Sequence, residues 1–268
     1  IDKTGVKCEG KQANIFRKKV LFMSENLMPH IRLPKDLDVD CALLPGDPAR
    51  ANAVATHLED AELLASNREF RSWRGTYKGK KVLVTSTGIG AASCAIAVEE
   101  LIQCGVRNLI RIGSCGALQP ECALGDLILV TGAIRDDGTS TAYVEAQYPA
   151  IPDFDLLSAC RESAAAEKIP YHMGICRSHS CLYGERNPEL YSYWTGKRAV
   201  ASDMETAALF VLGSLRGVRT ASILNVIAAS QSSVAEDIGK YASKEATSMS
   251  GEEREILTAL EAFTRIQA

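Results

Sequence analysis

The first residue in this sequence that points to chemistry is an arginine inside an apolar run. Arg111 lies within the apolar residues 109–112, and the small residues 113–116 follow at once. A guanidinium group keeps its charge when buried, so it needs an anion or a carboxylate beside it. The glycines of 113–116 let backbone N–H groups and the Ser114 hydroxyl approach an anion closely. The stretch therefore predicts either an oxyanion pocket at the carboxyl end of a strand or a structural ion pair.

A second glycine turn with an arginine occurs earlier in the chain. Residues 41–44 are apolar, the sequence PGDP follows at 45–48, and helical spacing begins at position 49. Arg50 at the start of this helix and the N–H of Gly46 are suited to holding a phosphate. The alternative is an ordinary strand-to-helix turn with an arginine that faces solvent.

Two carboxylates flank Met204 at the point where a loop becomes a helix. Asp203 and Glu205 suit the first turn of a helix, because the helix dipole favours negative charge there. The alternative is that Glu205 accepts hydrogen bonds from two vicinal hydroxyl groups of a sugar while Met204 packs on the ring. The residues alone leave both interpretations open.

The composition limits the class of protein. A net charge of -3 over 268 residues gives no reason to expect a nucleic-acid or anionic-membrane partner, and no apolar run reaches membrane-spanning length. The nine cysteines include no C-x-x-C pair and several lie in apolar runs, which predicts core residues in a reducing, cytoplasmic compartment. The four histidines lack metal-ligand spacing.

The elements that must position these residues alternate between strand and helix along the chain. This alternation predicts one α/β domain over 28–268, with a central mixed sheet flanked by helices. Residues 1–27 are predicted to be a disordered leader, and the small, polar stretch 230–250 is predicted to be a mobile lid. The predicted strands cover 41–44, 61–66, 69–77, 80–87, 108–112, 126–134, 172–176 and 219–227, and the predicted helices begin at 49, 91, 156, 204 and 252.

Taken together, seven motifs resemble the nucleoside phosphorylase-I family, in its uridine phosphorylase and hexameric purine nucleoside phosphorylase branches. They occur in the order of the family: PGDPAR (45–50), SNREF (66–70), STGIG (86–90), RIGSCGALQP (111–120), VTGAIRDDGTS (130–140), YPAIPDFD (148–155) and SDMETAALF (202–210). The resemblance implies phosphorolysis, in which inorganic phosphate attacks the anomeric carbon of a ribonucleoside. It implies no organic cofactor.

The resemblance also assigns roles to matching residues. The catalytic positions are Arg111 and Glu205. The positions matching the phosphate site are Gly46, Arg50, Arg68, Arg111 and Ser114, and those matching the ribose site are His30, Met204 and Glu205. In the family, the residues matching Arg68 and His30 come from a neighbouring subunit, so the expected assembly is a homo-oligomer of dimers that share active sites, either a hexamer or a dimer. The family also holds a monovalent cation at the dimer interface, and the matching positions here are Glu69, Ile89 and Ser93, which would hold a potassium ion.

The base site departs from the family pattern. Purine-specific relatives carry an aspartate that protonates the departing base, and the matching position here is near Ile227. The expected base-site residues are Cys115, Gly116, Cys181, Tyr183, Glu185, Arg186 and Ile227. Uridine is therefore the favoured substrate. The alternatives are a purine nucleoside phosphorylase with an atypical base site and a nucleoside-binding protein without catalysis.

Overall fold

The computed structural model describes residues 27–230 and 246–266, with side chains from 250 onward in the second range. Residues 1–26 of the predicted leader lie outside the described residues, and Leu27 forms an isolated bridge with Pro34. Most of the predicted lid, 231–245, also lies outside them. The described strands are β1 (Cys41–Pro45), β2 (Glu59–Asn67), β3 (Phe70–Tyr77), β4 (Lys80–Thr85), β5 (Asn108–Ala117), β6 (Leu127–Asp136), β7 (Tyr171–His179), β8 (Ala201–Asp203) and β9 (Arg219–Ala228).

All of these strands belong to one mixed sheet in the order β2-β3-β4-β1-β5-β8-β7-β6-β9. Strand β5 runs parallel to β1 and to β9, with Leu44 opposite Arg111 and Arg111 opposite Ser222. Because β9 pairs with both β6 and β5, the strands β5, β8, β7, β6 and β9 close into a ring. Because β1 and β5 are parallel neighbours, their carboxyl ends meet at the same edge of the sheet.

Helices cover both faces of the sheet. The described helices are α1 (Pro48–Ala55), α2 (Ala91–Gln103), α3 (Gly138–Tyr143), α4 (Phe154–Ala166), α5 (Asn187–Gly196), α6 (Thr206–Arg216) and α7 (Ala246–Arg265). One apolar core contains Cys94 and Leu101 of α2 with Leu209 and Phe210 of α6, and the other contains Leu156 of α4 with residues of α1 and α7. The apolar side chains of these helices are thereby removed from water, which is the main favourable term in folding.

The predicted fold class, a single α/β domain with a mixed sheet between helices, is confirmed. The sequence-based prediction did not include α3, α5 or β8. The segments α3 and β8 have only six and three residues, too few for a hydrophobic period to show. Helix α5 buries only Asn187, so its sequence lacks an apolar stripe.

The cysteines behave as small core residues. Of the eight that lie in the described part of the chain, all are free, seven are buried and only Cys181 is exposed. Burial raises the pKa of the Cys94 and Cys160 thiols to about 12, so these groups stay protonated and unreactive near neutral pH. Within the same residues, no helix has both the length and the apolar character needed to cross a bilayer.

Candidate active site

A cavity of about 1290 Å³ opens where the carboxyl ends of β1 and β5 meet the start of α6. The turn from β1 to α1, the end of β5 and the turn from β8 to α6 each contribute residues to its wall. The predicted site residues that line this cavity are Gly46, Arg50, Glu69, Ile89, Ser93, Arg111, Ser114, Cys115, Gly116, Tyr183, Met204, Glu205 and Ile227. Residues that are far apart in the sequence therefore share one site.

Arg111 is held in place on two sides, with its guanidinium group at the cavity. Its Nε lies 3.2 Å from Asp203 Oδ2 and its Nη2 lies 2.5 Å from Glu205 Oε2. The remaining nitrogen, Nη1, is buried and has no hydrogen-bond partner among the described residues. A buried charged donor without an acceptor is costly, so this atom is suited to bind an anion.

The glycine after this arginine is required by the packing. A Cβ atom built on Gly113 would lie 2.6 Å from Arg111 Nη2 and 2.8 Å from its Cζ. The guanidinium group folds back over the backbone of its own strand only because no side chain occupies that position.

The structural ion pair predicted for Arg111 is present, and the predicted oxyanion pocket stays a prediction. The residue is 4% exposed and ion-paired, yet it lines the cavity. Burial acts to lower the pKa of its guanidinium group, but the carboxylates of Glu205 and Asp203 act in the opposite direction and the net shift is upward. Arg111 is therefore a permanent positive charge at the cavity wall.

Arg50 provides a second buried guanidinium group. Asp47 caps α1 by accepting a hydrogen bond from the Ala49 N–H at 2.8 Å, and this fixes the start of the helix. Arg50 is 4% exposed, so the alternative of a solvent-facing arginine is wrong. Its Nη2 donates to Ser114 Oγ at 3.0 Å, which joins the two glycine turns at one point of the cavity.

Two carboxylates of α7 hold the other side of Arg50. Its Nε lies 3.2 Å from Glu252 Oε2, and its Nη1 lies 3.0 Å from Glu255 Oε1. Glu255 also accepts a hydrogen bond from the Gly113 N–H at 3.1 Å. Sequence reasoning missed both glutamates, because their spacing alone is ordinary for a helix and nothing in it points to a residue some two hundred positions earlier.

The structure separates the roles of the two carboxylates beside Met204. Asp203 is the capping residue, since it accepts hydrogen bonds from Thr206 N at 3.0 Å and Thr206 Oγ1 at 2.6 Å. The Glu205 side chain does not cap α6. It accepts a hydrogen bond from the Gly90 N–H at 2.5 Å and pairs with Arg111 at the cavity.

The protonation of Glu205 depends on opposing influences. Burial raises the pKa of its carboxyl group, Arg111 acts to lower it, and the net shift is upward. The Gly90 N–H also favours the ionised form by donating to it. When ionised, Glu205 presents acceptor oxygens beside Arg111, so the cavity has groups suited to an anion and to a hydroxylated group side by side.

His30 and Arg68 do not line the cavity of their own chain. His30 is held by Glu100, whose Oε1 lies 2.6 Å from His30 Nδ1 and whose Oε2 accepts hydrogen bonds from the N–H groups of His30 and Ile31. Arg68 is exposed and has a φ of 54°. Their supply from a neighbouring subunit stays a prediction.

The positions matching the potassium site are adjacent in space. Ser93 Oγ lies 2.8 Å from Glu69 Oε1 and 2.6 Å from the carbonyl oxygen of Thr87, and Ile89 is 81% exposed beside them. The pKa of the Glu69 carboxyl group is lowered, mainly by a hydrogen bond from its own backbone N–H and further by the hydrogen bond that Ser93 donates. The site offers oxygen ligands, which a hard monovalent cation accepts.

The predicted base site needs a correction. Cys181, Glu185 and Arg186 are exposed and do not line the cavity, and Arg186 pairs with Glu189 on the surface at 3.4 Å. The reason is the turn before α5, in which Asn187 donates hydrogen bonds to the carbonyl oxygens of Cys181 and Leu182. This turn directs those three residues outward. The predicted residues Cys115, Gly116, Tyr183 and Ile227 do line the cavity, together with His179, Leu182, Gly184, Asn187, Tyr191 and Ala228.

The fold and the cavity together describe an α/β protein in which two buried arginines lie beside a buried carboxylate in one cavity. A family model described as the phosphorylase superfamily matches residues 40–257. The chain therefore belongs to the phosphorylase superfamily, as the motifs predicted.

Individual relatives agree with this membership. The chain is 40% identical to uridine phosphorylase of Treponema pallidum over 195 residues, which cover 69% of this chain and 76% of the relative. It is 37% identical to guanosine phosphorylase of Halorubrum lacusprofundi over 198 residues, which cover 74% of this chain and 82% of the relative. The crystal structure of uridine phosphorylase from Vibrio fischeri superimposes with a TM-score of 0.84 at 39% identity, covering 91% of this chain and 99% of that one.

Proposed function

We propose that this chain is a nucleoside phosphorylase, a pentosyltransferase that cleaves uridine with inorganic phosphate to uracil and ribose 1-phosphate. The observation that carries the proposal is the buried Arg111, which lines the cavity, pairs with Glu205 and has one nitrogen, Nη1, without a hydrogen-bond partner among the described residues. The relatives that carry the name uridine phosphorylase support the choice of substrate.

The proposed reaction exchanges one bond at the anomeric carbon. The bond from C1′ to the base nitrogen breaks, its electron pair leaves with the base, and a phosphate oxygen forms the new bond to C1′. The departing uracil anion gains one proton, which balances the proton that hydrogen phosphate loses as the ester forms. Arg50, Arg111 and Ser114 hold the phosphate, while Glu205 accepts hydrogen bonds from the ribose hydroxyl groups. A transition state with positive charge on the sugar is stabilised by a dianion that is already fixed in position.

The wall of the cavity favours a pyrimidine. Ile227 stands at the position expected for a purine-protonating acid, and the apolar residues Leu182 and Ala228 also line the cavity. Without an acid at this position, a departing purine base must leave as a poorer leaving group. The guanosine phosphorylase relative keeps guanosine as the second candidate substrate.

The test is the release of free base from uridine, inosine and guanosine, with and without phosphate. We expect uridine to be cleaved fastest, and only when phosphate is present. Equal rates in phosphate-free buffer would indicate a hydrolase, and preferred cleavage of inosine or guanosine would indicate the purine alternative. Binding of uridine without turnover would indicate the non-catalytic alternative.

The assembly and its cation are part of the same proposal. A homo-oligomer of dimers would bring a partner's Arg68 and His30 to the cavity, and the exposed Ile89 at the cavity mouth supports a covered surface there. Potassium would be held by Glu69, Ile89 and Ser93 at that interface. The free cysteines in the described residues support a cytoplasmic location.

A further inference from the structure

The residue that this inference concerns is Glu255, a glutamate of α7 whose side chain is fully buried. It lies behind the wall of the cavity and contacts two separate parts of the anion site. Its Oε1 is 3.0 Å from Arg50 Nη1, and its Oε2 accepts the hydrogen bond from the Gly113 N–H at 3.1 Å. One carboxyl group therefore connects the arginine of α1 to the glycine turn of β5.

We propose that Glu255 is a positioning residue of the phosphate site, which holds Arg50 and the Gly113 turn together and carries a proton when the phosphate dianion is bound. The inference rests on the proposed function and extends it to a residue outside the cavity wall. Arg50 provides one phosphate donor through its side chain, and Gly113 precedes Ser114, which provides another. A shift of Arg50 or of the Gly113 turn would therefore misplace a phosphate donor.

The local charges require one carboxyl group to be neutral. Arg50 and Arg111 supply two positive charges, whereas Asp203, Glu205, Glu252 and Glu255 supply four negative ones if all are ionised. A phosphate dianion would add two more negative charges to this partly buried cluster. Such an excess is unfavourable in a low-dielectric site, even with one further arginine from a neighbour.

Glu255 is the member of this set best placed to hold the proton. The charged and titratable groups that face it are Arg50 from α1, Glu252 from its own helix, and Arg111 and Cys115 from β5. Burial raises the pKa of Glu255 to about 8, with Arg50 opposing the shift and Glu252 adding to it. Burial also raises the pKa of Glu205, but its carboxyl group pairs directly with Arg111 and accepts hydrogen bonds from the Gly90 and Met204 N–H groups, which oppose that shift.

The consequence is a link between pH and phosphate affinity. Below pH 8 the neutral Glu255 leaves the charge of Arg50 available to the dianion. Above pH 8 the ionised carboxylate competes with phosphate for that charge. If only the protonated form binds, the phosphate dissociation constant rises about tenfold between pH 7 and pH 9 through this group.

The test compares Glu255→Gln with the wild-type protein by the KM for phosphate at pH 7 and pH 9. The glutamine keeps an acceptor for the Gly113 N–H and cannot ionise. We expect the wild-type to variant ratio of phosphate KM to be near one at pH 7 and about ten at pH 9, with the uridine KM unchanged. Taking the ratio removes the titration of phosphate itself, which is the same for both proteins.

A second variant and a control separate positioning from general damage. Glu255→Leu removes the acceptor, and it should raise the phosphate KM by about tenfold or more at both pH values, with less than a threefold change for uridine. Glu253→Gln, on the same helix but 53% exposed, should match the wild type. If Glu255→Leu does not fold, the glutamine variant decides alone.

Two results distinguish the failure of this inference from the failure of the proposed function. A Glu255→Gln variant with the wild-type pH profile for phosphate would overturn the inference and leave the proposed function intact. A wild-type protein without phosphate-dependent cleavage would overturn the proposed function. In that case the stabilisation of Tm by inorganic phosphate at pH 7 and pH 9 still tests Glu255.

Discussion

At the scale of single residues, the site depends on how the donors of Arg111 are shared. Nε and Nη2 are used by Asp203 and Glu205, and Nη1 is buried without a partner among the described residues. The two carboxylates fix the plane of the guanidinium group, so an anion meets a donor that is already oriented. Preorganised donors of this kind lower the barrier because they need no rearrangement during the reaction.

Removing the positive charge should abolish most of the activity. We expect Arg111→Ala to lower kcat/KM by about 100-fold or more, because the phosphate loses its main counter-charge. Steady-state assays with varied phosphate measure this effect. Since the substitution also leaves Asp203 and Glu205 without their partner, circular dichroism must show that the variant is folded. Arg74→Ala is the matched control, because Arg74 pairs with Glu62 on the surface and should leave turnover unchanged.

Removing the carboxylate that accepts the sugar hydroxyl groups should weaken the transition state by a smaller amount. Glu205→Ala is expected to cost about 3 kcal/mol in kcat/KM, the upper value for hydrogen bonds to a charged group. The loss should be smaller for a nucleoside that lacks one of the two ribose hydroxyl groups. Equal losses for both nucleosides would contradict the assignment of Glu205 to the diol.

At the scale of elements, the position of α6 determines where Glu205 lies. Gly213 of α6 packs so closely on β9 that a Cβ atom there would lie 2.3 Å from Thr220 Cγ2. The side chain of Thr220 is buried and β-branched, so it has little freedom to move away. The helix therefore approaches the sheet only because position 213 is a glycine.

A methyl group at this contact should push α6 away from the sheet. We expect Gly213→Ala to destabilise the protein by about 1–3 kcal/mol, the usual cost of overpacking a core. Denaturant unfolding measures the change in free energy. Gly138→Ala is the control, since a Cβ atom on Gly138 would meet nothing within 4 Å. A Gly213→Ala variant as stable as this control would show that α6 can shift without cost.

The sequence predicted most of the elements because their apolar periods are local. The resemblance to the nucleoside phosphorylase-I family placed Arg50, Arg111 and Glu205 in one site, which the residue types and their spacing alone had left open. It did not predict the orientation of residues 181–186, which depends on the amide of Asn187 and two carbonyl oxygens. It did not predict the pairing of Arg50 with Glu252 and Glu255 either, since that contact depends on the packing of α7 against the rest of the fold.

At the scale of the whole molecule, the proposed sharing of sites can be tested by complementation. Arg68→Ala and Arg111→Ala should each inactivate the homo-oligomer. When the two variants are mixed after mild dissociation, a mixed dimer has one site with Arg111 from one chain and Arg68 from the other. Activity should therefore return in the mixture, as measured by uracil release.

The control for complementation uses two residues of the same cavity wall. Arg111→Ala mixed with Glu205→Ala leaves every site with one defect, so no activity should return. Failure of the first mixture to recover activity, with mixed dimers shown by native mass spectrometry, would mean that each chain supplies its own Arg68.

The ring of five strands has a further consequence for how copies of the chain can associate. Every strand of the ring has a neighbour on both sides, so in the described part of the chain the sheet ends at one lateral border only, which is β2. That border carries the exposed acidic residues Glu59, Asp60 and Glu62. Like charges facing each other disfavour the joining of two such borders by backbone hydrogen bonds. Joining two chains at β2 is therefore disfavoured, and the proposed homo-oligomer is expected to form through other surfaces of the chain.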